Sequence, residues 1–322
     1  MLILNPNVCV DRTVALGALV PGNVHRTGRA ATTLGGKGVN VARVARALAD
    51  RACIVGFLPR VDAARLEALA RGEGAELVGV EVGGDARVAT ILLESSGRVT
   101  VLNEPGVEVD SGGWDALLEQ VRVRSEGHAT LVCSGSLPPG SPVDAYARAV
   151  RVGRSLGVTT VVDATGPVLD AALGEGPDVV SPNLSEAEAV LFGRTDEVVE
   201  PTGPDVVERA AWAASELVLR GARRAIVSAG SQGAAFSSGA SVAWCAAPEV
   251  RVVNPIGAGD SLVGGLVHSL EAGEAFDTAV RFALAVASAS CEEPLAGGVD
   301  AARVHELLGS LGASEPVGAG PG

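Results

Sequence analysis

The residues with the clearest chemical potential lie in the segment NPIGAGDSLVGGL, residues 254–266. Gly257, Ala258 and Gly259 precede an apolar pattern of helical period. Their backbone N–H groups are therefore predicted to lie at a helix N-terminus, where unpaired donors and the helix dipole favour an anion. Asp260 follows in the first turn. An anion hole beside a carboxylate suits phosphoryl transfer to a hydroxyl, with the amides stabilising phosphate charge and Asp260 taking the proton. A plain helix cap is the alternative for so short a motif.

A second glycine-rich segment, TLGGKGVNVARVARAL, spans residues 33–48 and contains Lys37, the only lysine of the chain. Gly35 and Gly36 permit close approach of a ligand to the backbone. Asn40, in the first turn of the predicted helix, carries amide groups suited to a sugar hydroxyl. The segment lacks Walker A spacing, since only the lysine separates its flanking glycines and no Ser or Thr follows it. It also lacks the third glycine of a GxGxxG dinucleotide motif.

The composition limits the class of protein and of ligand. The 322 residues are 47% hydrophobic and 20% charged, which is a globular profile. The formal net charge of −13 repels nucleic acid and anionic lipid, so we expect neither as a partner, and a phosphate-bearing ligand needs a local positive cluster. Five widely spaced cysteines without a metal pattern favour a reducing compartment. Without a signal-like N-terminus or a long apolar run, a cytoplasmic enzyme is expected.

Short apolar runs alternate along the chain with patterns of helical period, as in strands buried on both faces and the helices that cover them. This alternation predicts an α/β fold with a parallel sheet flanked by helices. The strand-like runs are residues 54–57, 131–134, 159–163, 179–181 and 225–228.

Two segments depart from this alternation and predict an accessory sheet. Residues 12–30 and 86–103 look like extended, partly polar strands, the second turning at Ser95-Ser96-Gly97 as a hairpin. They could meet as one small sheet that covers a site as a lid. A further hairpin is predicted over 237–246. The main domain is expected to span residues 1–312, followed by a disordered tail, 313–322, that lacks periodicity.

Four motifs in order give a specific resemblance. GGKGVNVAR, SGSLPPG (134–140), SPNLSE (181–186) and GAGDS together resemble the phosphofructokinase-B branch of the ribokinase-like sugar kinases over about residues 1–310. Within that branch the chain is most similar to 1-phosphofructokinases and tagatose-6-phosphate kinases, whose substrates already carry one phosphate. The resemblance implies a central, mainly parallel sheet flanked by helices, with a small β-sheet lid that often forms a homodimer clasp.

The resemblance also implies roles for individual residues. Asp260 would be the catalytic base, with Gly257, Ala258 and Gly259 as the anion hole for the transferred phosphoryl group. Asp11, Gly35, Gly36 and Asn40 would hold the substrate. Asn183 and Glu186 would organise Mg²⁺ through its waters near the phosphates of ATP, although a helix-start capping box is the alternative for this Asn-x-x-Glu pattern. Asn183 would thereby belong to the ATP site, and Ser228, Gly230 and Gly233 would form part of the nucleotide-binding loop.

Lys37 receives an interpretation from the same branch. There the residue between these glycines faces the acceptor pocket, so Lys37 is expected to meet the phosphate already on the sugar, with Arg87 and Arg26 approaching from the lid. A compact ammonium fits between two backbone turns where a guanidinium fork does not. The alternatives are a chance lysine in an arginine-rich chain and solvated arginines on strands.

The sequence thus predicts an ATP- and Mg²⁺-dependent kinase of a ketohexose phosphate, 1-phosphofructokinase-like. A kinase of tagatose 6-phosphate or fructose 6-phosphate, a kinase of an unphosphorylated sugar, and a catalytically weak sugar-phosphate sensor are the alternatives. Three departures from the family pattern bear on substrate and donor affinity. Ser181 replaces a lysine before Pro-Asn, Val24 replaces a substrate-phosphate lysine, and Ala89 replaces an asparagine two residues after the lid arginine.

Overall fold

The protein is described by a computed structural model that covers residues 1–28, 30–194, 203 and 205–317. Within these ranges the strands are, in chain order, β1 (Leu2–Leu4), β2 (Cys9–Leu16), β3 (Ala31–Gly35), β4 (Cys53–Pro59), β5 (Glu76–Val82), β6 (Val88–Glu94), β7 (Val99–Asn103), β8 (Thr130–Ser134), β9 (Thr159–Asp163), β10 (Val179–Val180), β11 (Ala225–Ser228), β12 (Gly233–Ser237), β13 (Val242–Ala246) and β14 (Glu315–Pro316).

The α-helices of the same ranges are α1 (Lys37–Ala47), α2 (Ala63–Gly72), α3 (Ser111–Arg124), α4 (Ala145–Leu156), α5 (Gly166–Leu173), α6 (Leu184–Phe192), α7 (Val206–Leu219), α8 (Ala258–Glu271), α9 (Phe276–Cys291) and α10 (Ala301–Ser310). A single 3₁₀ turn, Gly230–Gln232, separates β11 from β12.

The large sheet has the order β14-β13-β12-β11-β10-β9-β8-β1-β4-β5 within the described residues. Strands from β11 to β5 are parallel, whereas β12, β13 and β14 add an antiparallel edge. Four of the five strand-like runs lie within parallel strands and the fifth, 179–181, extends one residue beyond β10, which confirms the α/β prediction. The hairpin predicted over 237–246 is the connection between β12 and β13.

Helices cover both faces of this sheet, and β1 shows why the strands are apolar throughout. Leu2 and Leu4 pack into one core with residues of helices α3 to α7, while Ile3, on the opposite side of the strand, packs into a second core with residues of α1, α2, α8 and α9. Since side chains alternate along a strand, a strand covered on both faces needs apolar residues at every position. None of the helices in the described ranges is long and apolar enough to cross a lipid bilayer.

A separate sheet of order β3-β2-β6-β7 confirms the predicted accessory sheet. β6 and β7 form the hairpin whose turn was placed at Ser95-Ser96-Gly97. β2 pairs with β6 in parallel and with β3 in antiparallel orientation. The predicted boundaries of the first segment differ from the structure, because residues 17–28 are a connection without strand pairing between β2 and β3. We call this sheet the lid.

The prediction of a disordered tail from residue 313 is wrong for Glu315 and Pro316. These residues pair as β14 with Trp244 and Ala243 at the edge of the large sheet. Two residues of pairing leave almost no periodic signal in a sequence, which explains why the pattern missed them. Residues 318–322 of the predicted tail lie outside the described residues.

Candidate active site

Most of the candidate residues surround one cavity of about 890 Å³ between the lid and the large sheet. Its base is formed by the carboxyl ends of parallel strands and by the N-termini of the helices that follow them, the usual ligand position in such sheets. The predicted residues that line it are Asp11, Gly36, Lys37, Asn40, Arg87, Asn183, Glu186, Ser228, Gly257, Ala258, Gly259 and Asp260.

Asp260 lies in the first turn of α8 and is only 5% exposed. Burial, opposed mainly by the ammonium of Lys37, raises the pKa of this carboxyl to about 7. The nearby carboxylates of Asp163 and Glu186 also raise it, while the hydrogen bond from Asn40 lowers it. A carboxyl that titrates near neutral pH is suited to general base catalysis.

The start of α8 has the geometry expected of an anion site. Its N-cap residue, Gly257, has φ of 84°, a left-handed conformation that favours glycine. A Cβ at Gly259 would meet no atom within 4 Å, so the backbone there is open to the cavity. The N–H of Ala258 donates to the carbonyl of Pro255 at 3.3 Å and is thus already engaged. Gly257 and Gly259 are the better-placed donors for a phosphate.

Asn40 connects α1 to Asp260. Its Nδ2 donates to Oδ2 of Asp260 at 2.6 Å, and its Oδ1 accepts from Nη1 of Arg43 at 2.7 Å. The sequence interpretation predicted only a hydrogen bond between Asn40 and a sugar hydroxyl. In the structure the same amide also holds the proposed base in position.

Lys37 lies at the start of α1, directly after Gly36, whose φ of 125° requires glycine. Its Nζ is 3.5 Å from Oδ2 of Asp163 and 3.9 Å from Oε1 of Glu186. These carboxylates, Asp163 first, raise the pKa of Lys37, so its side chain is charged at neutral pH. In the ligand-free protein the ammonium therefore lies among carboxylates, and its expected contact with the phosphate on the sugar stays a prediction.

Asp163 is a site residue that the sequence analysis missed. It ends β9, is 5% exposed, and accepts a hydrogen bond from Oγ of Ser134 at 3.1 Å. A signal was present, because an acidic residue at the carboxyl end of a predicted parallel strand faces the ligand edge of the sheet. The sequence analysis also missed Asn5, which directly follows β1. Its buried Nδ2 has no partner in the described structure, and the residue lines the cavity beside Lys37.

Asn183 and Glu186 form the capping box that was the alternative for this motif. Oδ1 of Asn183 accepts from the N–H of Glu186, and Oε2 of Glu186 accepts from the N–H of Asn183, both at 2.9 Å. Both residues nevertheless line the cavity. Among the described residues no group of three or more acidic, histidine or cysteine side chains has metal-binding geometry. The side-chain oxygens of Asn183 and Glu186 are nevertheless of the kind that Mg²⁺ binds, directly or through water.

The opposite end of the cavity is formed by Asp11 and Arg87. Asp11 is 7% exposed, burial raises its pKa, and it accepts a hydrogen bond from the thiol of Cys9. A Cβ at Gly35 would lie 2.0 Å from Oδ1 of Asp11, so only glycine fits beside this carboxyl. Arg87 donates from Nε and Nη2 to the carbonyl of Asn7 at 3.1 and 2.9 Å. No carboxylate of the described residues forms an ion pair with it.

Four predicted residues are not among those that line the cavity, and Gly35, which packs against Asp11, is one of them. Arg26 is exposed on the connection between β2 and β3. Gly230 lies in the 3₁₀ turn and Gly233 begins β12, both just beyond the lining residue Ser228. Of the three departures from the family pattern, Ser181 and Ala89 line the cavity, whereas Val24 is 81% exposed and is not among the lining residues.

Comparison with known proteins agrees with this architecture. Residues 5–301 match the family model described as pfkB family carbohydrate kinase. The chain is 30% identical to the 1-phosphofructokinase of Rhodobacter capsulatus over 281 residues, covering 87% of this chain and 86% of that protein. It is 34% identical to the 1-phosphofructokinase of Haloferax volcanii over 289 residues, covering 89% and 90%.

A solved structure shows the same fold. The phosphofructokinase-2 of Escherichia coli in complex with fructose-6-phosphate superposes with a TM-score of 0.84 at 28% sequence identity, covering 97% of this chain and 98% of the other. The chain is thus a kinase and belongs to the pfkB family of carbohydrate kinases.

Proposed function

We propose that this kinase transfers the γ-phosphate of ATP to a hydroxyl of a fructose phosphate, with fructose 1-phosphate as the preferred acceptor. The observation that carries the proposal is the position of buried Asp260 at the open N-terminus of α8, across one cavity from Arg87. The acceptor oxygen attacks the γ-phosphorus and gives its proton to Asp260. The bond from the γ-phosphorus to the bridging oxygen breaks, and ADP leaves.

The backbone N–H groups of Gly257 and Gly259 stabilise negative charge on the oxygens of the transferred group. Asp11, Gly36 and Asn40 bind acceptor hydroxyls. Arg87 binds the phosphate that the acceptor already carries, because its guanidinium is fixed by Asn7 and has no carboxylate partner among the described residues.

Lys37 is assigned to the phosphoryl group in transfer rather than to the phosphate on the acceptor. Its ammonium lies among Asp163, Glu186 and Asp260, and it partly offsets the missing lysine at position 181. A cation between the donor and acceptor positions stabilises charge that develops during transfer. The resemblance alone placed it at the acceptor phosphate, so the two assignments need separate tests.

ATP would extend from Gly259 past Asn183 and Ser228 toward the turn that contains Gly230 and Gly233. Mg²⁺, when bound, would neutralise negative charge on the phosphates. Glu186 and Asn183 are proposed to orient water around the ion. Arg26, exposed on the connection between β2 and β3, stays a sequence prediction.

The acceptor is tested by measuring ADP release with fructose 1-phosphate, fructose 6-phosphate, tagatose 6-phosphate and free fructose. The highest kcat/KM is expected with fructose 1-phosphate. A higher kcat/KM with tagatose 6-phosphate or fructose 6-phosphate would favour a 6-phosphate acceptor. The Asn-Pro before Ile256 resembles the tagatose-6-phosphate kinases. If kcat/KM is highest with free fructose, the proposed role of Arg87 is refuted. Acceptor binding without ADP release under any of these conditions would indicate a sensor instead of an enzyme.

The lid is proposed to join two copies of the chain. Asp11, Ile91 and Val101 face the cavity, and by strand alternation Leu93 and Val99 continue the same face beyond it as an apolar surface. Leu93→Asp should shift a dimer to monomer in sedimentation velocity. Leu102→Asp, on the opposite face and already 59% exposed, is the matched control. Monomeric wild-type protein would refute the proposal.

A further inference from the structure

Arg43, in the middle of α1, joins three separate parts of the molecule. Its side chain is 8% exposed, and each of its five N–H donors has an acceptor. Nε donates to Oε2 of Glu73 at 2.7 Å, and Nη2 donates to Oε1 of Glu73 at 3.1 Å and to the carbonyl of Leu34. Nη1 donates to Oδ1 of Asn40 at 2.7 Å and to the carbonyl of Ala296 at 3.1 Å.

The first connection is to the lid. Leu34 lies near the end of β3, the edge strand of the lid, directly before the glycines that lead into α1. Its N–H donates to Oε1 of Glu73 at 2.8 Å while its carbonyl accepts from Arg43. The Arg43–Glu73 pair therefore satisfies both edge-facing backbone groups of Leu34. An unpaired edge would otherwise leave the end of this strand loosely held.

The second connection is to the proposed base. Arg43 carries only donors, so the oxygen of the Asn40 amide must face it. The nitrogen then faces Asp260, which accepts from it at 2.6 Å. If the amide turned over, its oxygen would face the carboxylate of Asp260 and the hydrogen bond would be lost. Arg43 thus fixes which end of Asn40 meets the base.

We infer that Arg43, held by Glu73, is a positioning residue that couples the attachment of lid strand β3 to the orientation of Asn40 and, through Asn40, to the proton affinity of Asp260. The inference rests on the proposed function only in taking Asp260 as the proton acceptor. The charged groups that face Asp260 are Lys37 from α1, Asp163 from β9 and Glu186 from α6, and all are left in place when Arg43 is changed.

The test is a pH titration of the Asp260 carboxyl in the ligand-free protein. Its protonation is monitored by infrared difference spectroscopy, with the Asp260→Asn variant as the blank. Arg43→Met should raise the midpoint by about one pH unit, since a hydrogen bond to a charged group is worth about 1.5–3 kcal/mol and one unit is about 1.4 kcal/mol. Arg303→Met is the matched control, expected to leave the midpoint unchanged, because it removes a bidentate pair between α10 and Glu292, which follows α9, together with a contact to Glu306.

Two further variants separate positioning from a purely structural role. Asn40→Ser combined with Arg43→Met should give the same midpoint as Asn40→Ser alone, because Arg43 acts through Asn40. Glu73→Ala should both speed amide hydrogen exchange in β3 and raise the midpoint, and it carries the test if Arg43→Met does not fold. Unchanged midpoints in the folded variants, or additive shifts in the double variant, would overturn the inference. Because no substrate is present, such a result leaves the proposed reaction standing.

Discussion

The amide of Asn40 donates to Oδ2 of Asp260 across 2.6 Å, and so joins the first turn of α1 to the first turn of α8. The two glycine-rich segments of the sequence, more than 200 residues apart, therefore meet at one hydrogen bond. The carboxylate gains a fixed direction from this contact. The cost of burying it is offset in part by the ammonium of Lys37.

Replacing Asp260 with asparagine should abolish most activity while preserving the fold. The variant has no proton acceptor in this position, and general base catalysis contributes about 10²- to 10⁴-fold to a rate. We expect kcat to fall by about that factor in a coupled ADP-release assay, with the melting temperature unchanged or higher. Turnover near the wild-type value would exclude Asp260 as the base.

The sign of the stability change depends on pH. Because the pKa of Asp260 in the folded protein is raised to about 7, above its value in the unfolded chain, the carboxyl favours folding at low pH. This contribution is lost as pH rises through 7. The neutral Asp260→Asn variant avoids that loss, so its advantage in melting temperature over the wild type should be larger at pH 8 than at pH 5.

The same titration predicts the pH dependence of the reaction. kcat/KM for the acceptor reports groups of the enzyme before the acceptor binds, so it should decline as pH falls below about 7, where Asp260 becomes protonated. The measurement is kcat/KM for the acceptor across pH 5 to 9 at constant ionic strength and saturating magnesium and ATP. An acidic limb near 4, the value of an ordinary aspartate, would mean that another group or a solvated carboxylate accepts the proton.

The sequence predicted the architecture well because a strand that is buried on both faces needs apolar residues at every position. This signal can be read within the strand itself. The strand that ends at Asp163 was predicted with the correct boundaries. Asp163 itself was missed as a site residue, because its signal is its position at the end of a parallel strand and not a sequence motif. The partner of Lys37 could not be predicted either. Whether a long, flexible side chain turns toward Asp163 or toward Arg87 depends on contacts between segments distant in sequence.

The lid, too, could be predicted only in part from the sequence. Its hairpin follows from alternation and a glycine turn, and the structure confirms it. Residues 17–28 have neither strand pairing nor period, so nothing local fixed the position of Arg26, and it lies in solvent. Short-range patterns specify elements, whereas the direction of an exposed side chain on an irregular connection is set by contacts that a sequence does not display.

Adding a methyl group at Gly259 should separate stability from catalysis. No atom lies within 4 Å of the new Cβ, so Gly259→Ala fits the ligand-free protein and should stabilise the helix by up to about 1 kcal/mol. The methyl group occupies space through which a phosphate approaches the amides. A displacement of about 1 Å costs on the order of 10²-fold in rate, so kcat/KM should fall by roughly that factor.

Gly309→Ala is the matched control for this variant, since Gly309 lies in helix α10 with open space at its Cβ. It should raise the melting temperature without changing kinetics. If Gly259→Ala also keeps its kinetics, phosphate does not approach the start of α8 and the anion site must lie elsewhere in the cavity.

Lys37→Met and Arg87→Met should affect different kinetic constants. Loss of Arg87 should raise the KM for fructose 1-phosphate about tenfold to a hundredfold, because a hydrogen bond to a charged group is worth about 1.5–3 kcal/mol. The KM for free fructose should change little. Loss of Lys37 should lower kcat for phosphorylated and free acceptors alike, because its ammonium, held near Asp163 and Glu186, is proposed to stabilise the phosphoryl group in transfer.

The Lys37 variant should also move the acidic limb of the pH profile to higher pH, because Lys37 lowers the pKa of Asp260. Arg87→Met serves as its control in that experiment and should leave the limb in place. If Lys37→Met instead raises the KM for phosphorylated acceptors, spares kcat and leaves the limb unmoved, the ammonium binds the phosphate already on the sugar. The direction of its side chain in the free protein would then change when the acceptor binds.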